Sequence, residues 1–161
     1  MRTLLKRIYT LPVFVGTGRV LFAMSRIDRL ESISLRLARV YAALVQWVHG
    51  KRRVESTEEL ADEWNRLMPS PREAFPIVDV QDETAFVEIR IKCPLRGSGD
   101  GEACWRSMEF DRALVSAAGG RLVVMESQAV TGGDCCRLAI RRDSANMDDL
   151  PVAHPRWRER P

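Results

Sequence analysis

Four cysteines, Cys93, Cys104, Cys135 and Cys136, fall within one stretch of this 161-residue chain. Thiolates are the strongest nucleophiles and the softest metal ligands among side chains, so thiols brought together can form a nucleophilic, redox or metal site. Four reduced cysteines can equally be four small buried hydrophobes. The two histidines offer little as bases: His49 ends a helical pattern and His154 lies in a proline-containing tail. A reactive cysteine would therefore rely on Arg90, Arg137 or a helix N-terminus near Cys104 to lower its pKa. A four-thiolate zinc or iron-sulfur site has the right number of soft ligands but the wrong spacing. There is no C-x-x-C pair, and on a strand Cys136 falls in phase with Leu138 and Ile140 whereas Cys135 goes with Arg137.

The elements that must position these thiols follow from periodicity. Residues 27–49 place Leu30, Ile33, Leu37, Tyr41, Leu44 and Val48 three and four apart, the pattern of an amphipathic helix stopped by Gly50. Its other face, with Arg29, Ser32, Arg36, Arg39 and Gln46, reads as solvated. Ser56 and Glu59 form a capping-box pair for a short helix ending before Pro69. The period then changes to two. Ile77 to Val80 and Thr84 to Lys92 read as a hairpin, followed by a glycine-rich loop from Gly97 to Gly101. A helix is predicted over 105–118, closed by Gly119 and Gly120. A second hairpin follows, with strands at 121–130 and 135–142 around Thr131-Gly132-Gly133-Asp134. This order implies an α+β domain in which helices cover one face of a four-stranded, mainly antiparallel sheet. Residues 1–70 form its helical part, 71–142 its ligand-binding part, and 143–161 a flexible or surface-draped tail.

Composition narrows the classes. With 45% hydrophobic and 29% charged residues the chain is ordinarily globular, and a net charge of +3 is too small for nucleic-acid binding on electrostatics alone. The basic excess is concentrated at the N-terminus, in Arg2, Lys6, Arg7, Arg19, Arg26 and Arg29, which suits a peripheral membrane surface or an acidic protein partner. The apolar stretch from Ile8 to Met24 is interrupted by Pro12, Gly16, Gly18 and Arg19, too broken for a signal peptide or a span. A cytoplasmic location and reduced thiols are therefore expected.

The segment from Phe86 to Arg142 resembles the L-2-amino-thiazoline-4-carboxylic acid hydrolase family and, more distantly, the 4-vinyl reductase domain. The resemblance rests on Lys92-Cys93-Pro94 at a strand end, Phe110-Asp111 on a helix, the strand from Val123 to Ser127, and Gly132-Gly133-Asp134-Cys135-Cys136-Arg137-Leu138. It implies a small-molecule pocket with cysteines at its mouth or floor. By that resemblance Cys93 or Cys136 would attack a carbon-nitrogen bond of a small heterocyclic carboxylate, with Asp111 or Glu126 moving protons. The family's helix carries a cysteine three residues before the aspartate. Here Met108 stands there, with Cys104 one turn earlier. The zinc-binding branch of the 4-vinyl reductase group implies a noncatalytic alternative, a metal held by Cys104, Glu126 and Cys136, although Ala129 replaces that branch's middle cysteine. Asp111 reads as a solvated carboxylate more readily than Glu126, which shares a strand face with Leu122 and Val124.

Overall fold

The computed structural model describes residues 11–69 and 71–158, with side chains from residue 16 onward. The basic residues Arg2, Lys6 and Arg7 and the terminal Arg160 lie outside the described residues. Helices α1 (Leu11–Ser25), α2 (Glu31–His49) and α3 (Thr57–Leu67) precede the hairpin β1 (Ile77–Gln81) and β2 (Thr84–Ile89). Helices α4 (Gly101–Ser107) and α5 (Glu109–Ala118) then lead to β3 (Gly120–Glu126), the short helix α6 (Gln128–Thr131) and β4 (Cys136–Arg142). The sheet is antiparallel throughout, in the order β1-β2-β4-β3, and the molecule is an α+β protein with its helical part first.

The strand pattern explains where the core sits. Ala85, Val87 and Ile89 on β2 lie opposite Ile140, Leu138 and Cys136 on β4, and Leu122 and Val124 continue the row on β3. All are buried, and α3 and α5 pack against this face. Each large aliphatic side chain so buried stabilises the fold by about 1.5–3 kcal/mol. The capping box on α3 forms as expected: Ser56 accepts from the Glu59 amide while the Glu59 carboxylate accepts from Ser56. Gly119 ends α5 at φ 99°, a conformation that other residues adopt at a cost.

Several expectations are corrected. The sequence predicts no element over the interrupted apolar stretch; helix α1 (Leu11–Ser25) covers most of it, and Gly16 and Gly18 cost it only propensity. The helix predicted over 105–118 is two helices, beginning at Gly101 under an Asp100 cap and breaking at Met108. On α2 the buried residues are Ser34, Ala38, Ala42 and Gln46, while Ile33, Leu37 and Leu44 are exposed. Small side chains let α2 approach α5 closely, and Gln46 donates to the Leu114 carbonyl at 3.1 Å. The strand predicted over 121–130 stops at Glu126, because Ser127 caps α6 and Gly132 closes it at φ 71°. The segment after Asp143 is held on the surface: Met147, Leu150 and Trp157 are buried, and the Ala153 amide donates to Val124.

An ion-pair network ties the segment around Arg156 to the helices. Arg156 bridges Glu31 and Glu102 at 2.8 Å each. Buried Arg106 reaches Asp28, Glu31 and the Ser25 carbonyl, fixing the end of α1 against α4. Among the described residues no helix is long and apolar enough to cross a membrane.

Candidate functional site

The chain after β2 turns at Cys93 across the top of the sheet, α4 presents Cys104, and the first residue of β4 is Cys136. These three thiols line one half-enclosed cavity of about 140 Å³. Leu21, Phe22, Tyr41, Met68, Phe75 and Ile89 make its walls mainly apolar. A cavity of roughly 150 Å³ holds one benzene-sized ring. Cys104, Ser107, Met108 and Asp111 all face it, so the displaced thiol on α4 shares a side with the aspartate on α5 despite the break between the helices.

Asp111 is buried rather than solvated, and its Oδ1 accepts the Trp64 indole N–H at 2.9 Å. Burial raises its pKa from 3.8 to about 6 against the opposing hydrogen bond, so the carboxyl holds its proton well above the usual carboxylate range and gives it up just below neutrality.

Each thiol has a local partner. The Cys93 sulfur accepts the Leu95 amide at 3.4 Å, the Cys104 sulfur lies 3.1 Å from the Ser127 hydroxyl, and the Cys136 sulfur accepts the Gln128 amide at 3.4 Å. Burial nevertheless raises all three pKa values, Cys104 to about 12. Arg26 acts in the opposite direction on Cys93. Its guanidinium donates to the Pro94 carbonyl at 2.8 Å, close to the mouth. Cys93 also lines an open outer depression with Lys92, Pro94 and Arg96, so it stands between the interior cavity and solvent.

Sequence reasoning missed Gln128, which is fully buried and organises the site. Its side-chain carbonyl accepts the Cys93 amide at 3.0 Å, and its amide group donates to Ile91 at 2.9 Å and to Ile89 at 3.3 Å. The available signal was Ser127 followed by Gly132, a cap and stop around one helical turn.

Glu126 does not join the cavity. A register shift between Val124 and Glu126 carries it off the face of Leu122 and Val124 and pairs it with Arg137, leaving its side chain 56% exposed. Arg90 and Arg137 are likewise drawn to Glu88 rather than to a thiol. Cys104 and Cys136 therefore share the cavity without the Glu126 carboxylate. Among the described residues no group of three or more Cys, His, Asp or Glu side chains is arranged to hold a metal ion. Cys135 lies outside the cavity lining, as the strand phase predicts, and so do His49 and His154. No family model, curated protein or solved structure matches the chain.

Proposed function

We propose that the protein is a thiol-dependent hydrolase-like enzyme that opens a carbon-nitrogen bond of a small heterocyclic carboxylate in this cavity. The convergence of Cys93, Cys104, Cys136 and Asp111 from separate elements onto one ring-sized space carries the reading. Cys93 is the attacking residue: it is half-buried where Cys104 and Cys136 are buried, it borders the outer depression, and Arg26 lies nearby.

A neutral thiol can add across a C=N bond without prior ionisation when the ring nitrogen takes its proton. Sulfur bonds to the ring carbon as the proton passes to nitrogen. The carbon-nitrogen bond then breaks with its electron pair going to nitrogen, which takes a proton from Asp111. Water adds its hydroxyl to the carbon and returns a proton to Asp111, and the carbon-sulfur bond breaks as that hydroxyl becomes the product carbonyl and its proton restores the thiol. Arg26 and Lys92 supply cations near the mouth for the substrate carboxylate, whereas Arg96 is held by Asp134. Thiazoline carboxylates test the reading through loss of ring absorbance, compared between the native protein and Cys93→Ala.

A second reading, a noncatalytic pocket for a compact apolar ligand, draws on the raised pKa of all three thiols and on the mainly apolar walls. Calorimetric binding of the same compounds without turnover would favour it.

A further inference from the structure

The large apolar side chains that α2 keeps out of the core form an ordered ridge. Ile33, Leu37, Val40, Leu44 and Trp47 recur at alternating spacings of four and three, which puts them along one line of the helix. They are 50%, 45%, 66%, 41% and 76% exposed. Exposed Arg36 shares this side of the helix, exposed Arg29 lies in the turn just before it, and exposed Lys51, Arg52 and Arg53 follow its C-terminal end, Arg52 and Arg53 beside Glu59, Asp62 and Glu63. Between Ser32 and Arg53 there is no acidic residue at all.

We propose that this ridge is a docking surface for an anionic lipid bilayer, with the apolar line entering the headgroup boundary and the cations contacting lipid phosphates and carboxylates. Charge complementarity selects the occupant. A symmetric pair of copies would set this patch against itself, and Arg36 and Lys51 would meet further cations, since the carboxylates nearest the patch are placed elsewhere, Asp28 on Arg106 and Glu59, Asp62 and Glu63 beside Arg52 and Arg53. A protein partner of ordinary kind needs about 20–30 residues per side. Here one helix offers five exposed apolar side chains in a line with flanking cations. That is instead the design of a helix lying in a membrane interface, where a tryptophan sits at headgroup depth and arginines extend their heads toward phosphate.

Co-sedimentation of the full chain with vesicles of phosphatidylcholine, alone or mixed with phosphatidylserine, tests the proposal. Binding to the mixed vesicles only, weakening as salt rises, is the expected result. Val40→Asp and Trp47→Ser change exposed positions and leave the circular dichroism unchanged; each should weaken vesicle binding about tenfold or more, and Arg36→Gln by about fivefold. Three results would overturn the proposal: no binding to anionic vesicles, equal binding to both vesicle types, or full binding by Val40→Asp. So would a native dimer that Val40→Asp converts to monomer, or a native protein that ignores vesicles but binds polyglutamate. Since no step involves the thiols, hydrolytic activity and vesicle binding can fail separately.

Discussion

The side-chain carbonyl of Gln128 accepts the backbone N–H of Cys93 at 3.0 Å, joining the helical turn after β3 to the chain that leaves β2. The same side chain donates to the Ile89 and Ile91 carbonyls, and the backbone N–H of Gln128 donates to the Cys136 sulfur. One buried residue thus sets the relative positions of two cavity thiols that lie 43 residues apart in sequence. Gln128→Ala would remove its three side-chain hydrogen bonds, to the Cys93 amide and the Ile89 and Ile91 carbonyls, at a buried to half-buried site. The expected cost is about 2–4 kcal/mol in urea unfolding, with altered Cys93 reactivity. A variant as stable as the native protein would show that water or relaxation replaces those bonds.

Much of this arrangement was legible in the sequence because it depends on local periodicity. The phase of β4 placed Cys136 with Leu138 and Ile140, and the capping box announced α3. Glu126 escaped because a bulge at Met125 reverses the strand's alternation, and a one-residue shift leaves no mark in the hydrophobic pattern. Asp111 and Trp64 lie 47 residues apart, and their pairing depends on how α3 and α5 pack rather than on either helix alone. On α2 the face that packs is not the one its large apolar residues mark. Its apolar stripe is real, but the helix that packs against it takes the stripe of small residues instead.

Asp111 should make stability depend on pH. Its pKa is 3.8 unperturbed and about 6 when folded, so between these values the native state binds more proton than the unfolded chain. Stability therefore falls as pH rises through that window, and the cost at pH 7 is on the order of 3 kcal/mol. Asp111→Asn keeps an acceptor for Trp64 and removes the buried charge. It should flatten the profile between pH 4 and 6 and raise the neutral midpoint of unfolding, as measured by chemical denaturation at a series of pH values. An unchanged slope would place the titration elsewhere.

The thiols should differ in reactivity. Burial holds Cys104 at about 12 and raises Cys93 and Cys136 above the usual cysteine value, so alkylation at neutral pH should be slow at all three. Mass-spectrometric mapping of iodoacetamide labelling should find Cys93 modified well before Cys104, with its rate still rising above pH 9. Rapid neutral labelling of Cys104 would contradict the buried placement.

Acid should loosen the segment that carries Arg156. Hydrogen bonding to Arg156 first, then to Arg106, against the opposing effect of burial, lowers the Glu31 pKa from 4.5 to about 2. That contact stabilises fully above pH 4.5 and is lost as pH falls toward 2. Glu31→Gln removes its charge at every pH, so trypsin should cut after Arg156 faster in this variant than in the native protein at neutral pH. Equal cleavage rates would mean that the Glu102 bridge and the burial of Trp157 hold the segment unaided.

The most direct measurement is ring opening of thiazoline carboxylates by the native protein and by Cys93→Ala, Cys136→Ala and Asp111→Asn, each checked for its fold by circular dichroism. The proposed chemistry predicts turnover by the native protein, a loss of more than about a hundredfold in Cys93→Ala, and a smaller loss in Asp111→Asn. Undiminished turnover in Cys93→Ala, or tight binding of these compounds by a native protein that never opens the ring, would contradict it.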